Sequence, residues 1–190
     1  NAILKTGVEV KYGLKIGTDI TIQQLQKEYD AVLITIGAST DKKLGLEGED
    51  AEGIFSAVQF LRNVGQNIIM DLTGKEVAVI GGGNVTMDVV RTAKRLGAKK
   101  VSAVYRRRTA DMTALPTEIE GAVAEGIEMQ TLKAPASLDV DENHHIKGIY
   151  VTPQMISAIN NGRASIKPTG EEDVYIPCDV LVVAVGQNIE

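Results

Sequence analysis

The residues of this chain best suited to chemistry are a glycine-rich loop and an arginine triplet. The loop, Gly81-Gly82-Gly83-Asn84-Val85-Thr86, follows a short apolar run and precedes a helical pattern. A helix N-terminus with exposed backbone N–H groups suits the pyrophosphate of a dinucleotide. The triplet, Arg106-Arg107-Arg108, comes about 25 positions later, near the place where NAD sites put an Asp or Glu for the ribose 2′-hydroxyl. A guanidinium suits a 2′-phosphate, so the two motifs together predict an NADP(H) site.

The individual positions have different expected roles. Gly81 is expected to form the turn and Gly83 to let the pyrophosphate approach, whereas Thr86 replaces the third small residue of the usual fingerprint. Asn84 either contacts phosphate or stabilises the turn. Arg106 and Arg107 are the expected phosphate contacts, and Arg108 is expected to be a solvated charge. The predicted cofactor contacts in these two motifs are Gly81, Gly82, Gly83, Asn84, Val85, Thr86, Arg106 and Arg107.

Two other interpretations apply to these motifs. The glycines can form a tight strand–helix turn without any ligand, and an arginine triplet can bind nucleic acid. Nucleic acid is disfavoured because the net charge is −5 and only 4% of residues are aromatic, with no Trp to stack on bases.

Bulk composition describes a globular chain of 190 residues, 44% of them hydrophobic. No apolar run reaches the roughly 18 residues of a membrane helix, so neither a membrane nor a secretory setting is expected, and the cytoplasm is the default. Cys178 is the only cysteine, which excludes an internal disulfide and a cysteine-ligated iron–sulfur cluster in this sequence. It is expected to be inert, and His144 and His145 to be surface residues rather than metal ligands. No catalytic acid or base is expected.

The pattern of strands and helices predicts an α/β, doubly wound, Rossmann-like domain. A buried strand over 77–80, a helix over 87–96 and a second strand over 101–105 place the arginines at a carboxyl end of the sheet, where such folds bind ligands. Residues 133–176 are predicted to form a β excursion, and residues 179–186 are predicted to form a further buried strand.

Similarity between segments of the chain indicates a second nucleotide-binding unit. Residues 7–12 alternate like a strand, and the apolar run 30–37 is predicted to be a buried parallel strand. Residues 7–10 resemble 126–129 and the run 30–37 resembles 179–186, but the first copy has no glycine loop of its own. The sequence is therefore expected to be a piece of a longer protein. The predicted organisation is the tail of a first nucleotide-binding unit (1–40), a connecting segment with a helix (41–74), an NADP(H)-binding domain (75–186) and the start of a return to the first unit (187–190).

Taken together, these motifs resemble a known family. The loop continued by Met87-Asp88, the Tyr105-Arg106-Arg107-Arg108 run and the strand 179–186 are similar to the NADPH domain of glutamate synthase small-subunit proteins. Those belong to the flavoprotein reductases that have two dinucleotide domains.

The resemblance implies that the NADPH-binding domain is inserted in an FAD-binding domain, of which 1–40 is a remnant and to which 187–190 starts to return. It also implies that hydride passes from NADPH to FAD in the intact protein. It adds the ends of the two crossover strands, Gly37 with Ala38 and Ala184-Val185-Gly186, as cofactor contacts. It also implies an iron–sulfur partner or a larger catalytic subunit, and little turnover by this chain alone. Two alternatives stay open: an NADPH-binding regulatory or docking module, and a ferredoxin- or sulfide-linked reductase of the same group.

Overall fold

The computed structural model describes residues 2–38, 40–68, 70–160 and 163–189, without the side chains of residues 160 and 163. The chain forms two compact units, Asn1–Gly37 and Ala38–Glu190. The first unit contains a 3₁₀ turn, Leu4–Thr6, and one short helix, α1 (Ile22–Glu28). Thr21 and Gln24 cap α1 reciprocally, each side chain binding the backbone N–H of the other.

The strands predicted over 7–12 and 30–37 are wrong, because both runs are irregular in the structure. A strand needs a hydrogen-bonded neighbour, and among the described residues neither run pairs with one. The apolar side chains of the second run are accordingly exposed, Leu33 by 87% and Ile36 by 67%. Their sequence is typical of a buried strand, but among the described residues they have no neighbouring strand with which to pair.

The α-helices and strands of the second unit, in chain order and over its described residues, are β1 (Thr40–Asp41), β2 (Ile54–Ser56), α2 (Ala57–Gly65), β3 (Glu76–Ile80), α3 (Asn84–Arg95), β4 (Lys100–Tyr105), α4 (Pro116–Ala124), β5 (Glu128–Thr131), β6 (Lys133–Val140), β7 (Ile146–Asn160), β8 (Arg163–Pro168), β9 (Val174–Pro177), β10 (Val180–Val183) and β11 (Gln187–Asn188). Five of the strands form a parallel sheet of order β2-β10-β3-β4-β5. A small antiparallel pair joins β1 to β11.

The two faces of the parallel sheet are covered by different layers. Val77 and Val79 of β3 pack with the helices, together with Met87 and Val90 of α3. The alternate residues Ala78 and Ile80 join a second core with β7 and β9. Because successive side chains of a strand point to opposite faces, a strand buried on both sides reads as a continuous apolar run.

The predicted β excursion is confirmed as an antiparallel sheet in which β7 pairs with β6, β8 and β9. It covers the sheet face that lacks helices, so the α/β fold class is confirmed with a β layer on one side. Cys178 lies buried in this core, and burial raises the pKa of its thiol to about 12, as expected of an inert cysteine.

Some boundaries differ from the prediction. α3 begins at Asn84, three residues before the expected Met87, because Gly83 is already its N-cap. Segment 41–74 contains the predicted helix, capped by Ser56, and also the unpredicted edge strand β2, which pairs with β10. Of the helices in the described ranges, none combines the length and apolar character that a membrane crossing requires.

A candidate dinucleotide site at the carboxyl ends of the parallel strands

A cleft of about 660 Å³ opens where β3, β4 and β10 end. β3 lies between β4, which follows it in sequence, and β10, so the cleft sits where strand order changes direction, the usual ligand position in open α/β sheets. Its lining residues are Asp41, Lys43, Leu44, Leu46, Ala57, Ile80, Gly81, Gly82, Gly83, Asn84, Val85, Val104, Tyr105, Arg106, Arg107, Thr113, Ala134, Pro135, Ala184, Val185, Gly186 and Gln187.

Two positions of the loop require glycine because neighbouring atoms approach the backbone too closely for a side chain. A Cβ on Gly81 would overlap the Ala184 carbonyl oxygen and the Thr86 hydroxyl, and its φ of +153° is one that side chains rarely adopt. A Cβ on Gly82 would lie 2.6 Å from the Tyr105 ring. The loop is therefore compressed between β10, the first turn of α3 and the end of β4.

The compressed loop leaves backbone donors free. In the described part of the chain, the N–H groups of Gly82, Asn84 and Val85 donate to no protein acceptor, and all three residues line the cleft. The N–H of Gly83 is taken by the Thr86 hydroxyl at 3.4 Å. Three open donors at the N-terminus of a twelve-residue helix form a site for an anion such as a pyrophosphate.

Thr86 and the Asn84 side chain have structural roles. Thr86 is fully buried behind the loop and does not line the cleft, so its side chain serves the turn. The Asn84 amide oxygen accepts a hydrogen bond from the backbone N–H of Leu115, the residue before α4, at 2.9 Å. Of the two roles considered for the Asn84 side chain, the structure shows the stabilising one.

Two of the three arginines face the cleft. Arg106 is exposed and makes no hydrogen bond or ion pair with the described residues. Arg107 donates from Nε to the carbonyl oxygen of Ala164 in β8, at 2.9 Å, which leaves its terminal nitrogens available. The two guanidiniums supply positive charge at the end of β4.

The expectation that Arg108 is a solvated charge is wrong. Its Nε and a terminal nitrogen bind the two carboxylate oxygens of Asp111 at 2.8 and 2.9 Å. The Asp111 side chain is only 1% exposed, and a buried carboxylate requires such partners. The sequence singled out the cation but gave no reason to pair it with Asp111 three positions later.

The segment after β4 also supports the glycine loop. The Tyr105 hydroxyl donates to the Asp111 carbonyl oxygen at 2.9 Å. The backbone N–H groups of Thr113 and Ala114 both donate to the Gly82 carbonyl oxygen, at 2.9 and 3.1 Å. These contacts were not foreseen, since the sequence shows only that the two motifs end adjacent strands.

The remaining predicted site residues differ in whether they line the cleft. Ala184, Val185 and Gly186 line the cleft, whereas Ala38 does not. Gly37 belongs to the N-terminal unit and stays a prediction. Asp41 and Lys43 line the cleft but were not predicted, because nothing in the sequence linked segment 41–74 to the loop.

The two histidines are exposed, as expected. His144 lies 3.5 Å from Asp50, and His145 lies 3.0 Å from Glu52. Among the described residues no group of three His, Cys, Asp or Glu side chains is arranged to hold a metal ion.

A parallel sheet with an anion-ready loop at its carboxyl edge defines an α/β domain of the dinucleotide-binding type. Residues 5–190 match the model of the pyridine nucleotide-disulphide oxidoreductase family, and the chain belongs to that family. Its members use NAD(P)H with FAD. The assignment confirms the resemblance found in the sequence.

Relatives within the family have several physiological roles. The chain is 40% identical to the NADP(+)-dependent formate dehydrogenase subunit beta of Moorella thermoacetica, over 98% of this chain and 27% of that protein. It is 32% identical to the glutamate synthase [NADPH] small chain of Escherichia coli, over 95% of this chain and 40% of that protein. The chain thus spans well under half the length of these relatives.

A solved structure shows the same fold. FprA from Mycobacterium tuberculosis, in complex with NADPH, superposes with a TM-score of 0.75 at 20% identity. The match covers 92% of this chain and 54% of FprA. At this identity the likeness concerns the fold alone.

Replacing Gly81 by Ala is expected to lower the free energy of unfolding by about 1–3 kcal/mol, because the added Cβ has no space beside Ala184 and Thr86. Urea unfolding followed by circular dichroism measures the change. Gly83→Ala is the matched control, since its Cβ would meet only the Thr113 hydroxyl at 3.4 Å, an ordinary contact. Equal stability of the two variants would contradict the packing described for the loop.

The Asp111 carboxylate should make stability depend on pH. Its pKa lies well below the usual 3.8, first because Arg108 binds it and then because the Ala164 N–H does. A lowered pKa in the folded protein stabilises it above pH 3.8, and the contribution is lost as the pH falls through the folded-state value. Asp111→Asn is therefore expected to be less stable than the parent at pH 7, by a margin that shrinks below pH 4.

Urea unfolding at pH 7, 5 and 3 measures that margin. Asp88→Asn serves as the control, because Asp88 is exposed on α3 and has no partner in the described part of the chain. A margin at pH 3 as large as at pH 7 would show that the charge of Asp111 is not what stabilises the fold.

Proposed function

We propose that this chain is the NADPH-binding part of a flavoprotein oxidoreductase. The observation that supports it is a single cleft with two kinds of hydrogen-bond donor suited to phosphate groups. Gly82, Asn84 and Val85 offer backbone N–H groups for a pyrophosphate, and Arg106 and Arg107 offer guanidiniums for a 2′-phosphate. Both sets follow neighbouring parallel strands, so a single dinucleotide can engage both.

The charge at the end of β4 favours NADPH over NADH. A carboxylate there would accept hydrogen bonds from a ribose 2′-hydroxyl and would repel a phosphate. The position instead holds Arg106, whose guanidinium has no protein partner among the described residues. Among the described lining residues Asp41 is the one carboxylate, and it comes from β1, which pairs with β11 and not with the parallel sheet.

FAD does not fit the described residues in the same way. The N-terminus of α1 is closed by the Thr21–Gln24 capping box, and the described residues contain no second glycine-rich loop between a strand and a helix. We therefore assign FAD to other parts of the intact protein. NADPH, when bound, supplies a hydride, and this chain contributes its position and its electrostatic environment.

The intact protein would pass these electrons to a larger complex. We propose glutamate synthase as the first candidate, because the chain resembles the small chain of that enzyme over nearly its whole length. The higher identity to a formate dehydrogenase subunit makes NADP-linked formate oxidation the second candidate. Both candidates share the NADPH site and differ only in what exchanges electrons with the flavin.

Arg106→Ala should weaken NADPH binding about 10- to 100-fold and leave NADH binding nearly unchanged, because one charge-assisted contact to phosphate is lost. Calorimetric titration of the chain with each nucleotide measures both affinities. Arg62→Ala is the matched control: Arg62 is an exposed residue of α2 outside the cleft lining, so both affinities should persist. Equal affinity of the parent chain for the two nucleotides, or no binding of either, would contradict the proposal.

The electron acceptor is tested on the intact protein purified with the subunits that accompany it. A glutamate synthase complex should oxidise NADPH only when glutamine and 2-oxoglutarate are both present, and should form glutamate. Reduction of NADP⁺ by formate, without any glutamate formation, would instead establish the second candidate.

A further inference from the structure

We propose that Asp111 is a positioning residue that sets the preference for NADPH over NADH by fixing the arginine loop, here defined as residues 105–114. The inference rests on the proposed function. Asp111 itself neither lines the cleft nor belongs to the predicted phosphate contacts. Its effect would be transmitted through the residues it holds.

The first step is the binding of the carboxylate itself. One oxygen of Asp111 accepts from Arg108 and from the backbone N–H of Ala164, at 2.9 and 3.0 Å. The other accepts from Arg108 at 2.8 Å and from the Arg108 backbone N–H at 3.3 Å. Four donors from two separate segments bind a side chain that is almost fully buried, so the carboxylate fixes the start of the loop against β8.

The second step runs through Ala164 to the cleft. The N–H of Ala164 donates to Asp111, and its carbonyl oxygen accepts from Nε of Arg107 at 2.9 Å. Ala164 is buried, so neither bond competes with bulk water. Asp111 and Arg107 therefore hold the same residue of β8, and a shift of the strand away from Asp111 would move the Arg107 guanidinium.

The third step reaches the glycine loop. The Asp111 carbonyl oxygen accepts from the Tyr105 hydroxyl, and the ring of Tyr105 packs on Gly82. Thr113, two residues later, donates its N–H to the Gly82 carbonyl oxygen. The segment around Asp111 thus adjoins both phosphate subsites, although its carboxylate acts on the arginine side.

The charges explain why a carboxylate can serve here. Asp111 is neutralised by Arg108, and neither residue lines the cleft. The pair leaves Arg106 and Arg107 uncompensated in front of the ligand, while the anion is kept away from the 2′-phosphate. If Asp111 were instead free to turn toward the cleft, it would compete with the phosphate for those arginines.

The test measures the ratio of the NADPH and NADH dissociation constants for the chain at pH 7. In Asp111→Asn the amide still accepts from Ala164, but the charge that holds Arg108 is lost, and the preference for NADPH should fall about tenfold. Affinity for NADH should stay nearly constant. A role in stability alone would lower both affinities together or change only the unfolding midpoint.

Two further variants make the result decisive. Arg108→Lys keeps a cation beside the buried carboxylate but cannot bind both oxygens, so it should fold and still lose part of the preference. Glu125→Gln is the matched control: Glu125 binds Arg91 and Arg95 at 2.8 and 2.9 Å, away from the cleft, and its loss should leave the ratio unchanged.

Each outcome has a distinct meaning. An unchanged ratio in both Asp111→Asn and Arg108→Lys, with a ratio that collapses in Arg106→Ala, would overturn the positioning role and leave the proposed function standing. An unchanged ratio in Arg106→Ala as well, or no nucleotide binding by the parent chain, would contradict the proposed function itself. Should Asp111→Asn fail to fold, Arg108→Lys decides the question.

Discussion

The candidate site depends on how closely the backbone of Gly81 and Gly82 approaches its neighbours. The loop passes between the Ala184 carbonyl, the Thr86 hydroxyl and the Tyr105 ring, with no space for a side chain at either glycine. These contacts fix the path of the chain into α3, where Asn84 and Val85 line the cleft and their N–H groups have no acceptor among the described residues. A looser turn would let them bind other carbonyls, and the donor set would be lost.

The antiparallel β layer has two roles in this arrangement. Its strands β7 and β9 cover the sheet face that has no helix, which buries Ile149 and Ile176 with the alternate residues of β3. Strand β8 also presents Ala164 to Asp111 and Arg107. The same excursion that completes the core therefore supports the arginine end of the cleft, which couples core packing to the geometry of the site.

Sequence patterns predicted the elements whose signals are local. The run 77–80 and the glycines located β3 and the loop that follows it. Contacts between distant segments could not be predicted in this way. The Asp111 carboxylate accepts a hydrogen bond from Ala164 of β8, more than fifty residues away. The exposed run 30–37 has the sequence of a strand but pairs with no strand among the described residues. The sequence pattern of a segment indicates which secondary structure would bury its apolar side chains, whereas only the tertiary structure shows whether a neighbouring strand is there to pair with it.

The net charge of the chain explains why position matters so much at the arginines. At −5, the protein as a whole does not attract an anionic dinucleotide, and salt screens surface charges beyond a Debye length of about 8 Å. In the proposed NADPH site, selectivity for a 2′-phosphate would then come from direct contact with Arg106 and Arg107. Direct hydrogen bonds depend on distance and angle far more steeply than a diffuse field does. The ion pair between Arg108 and the buried Asp111 carboxylate is consistent with that proposal, because it lies in the segment from which Arg106 and Arg107 extend.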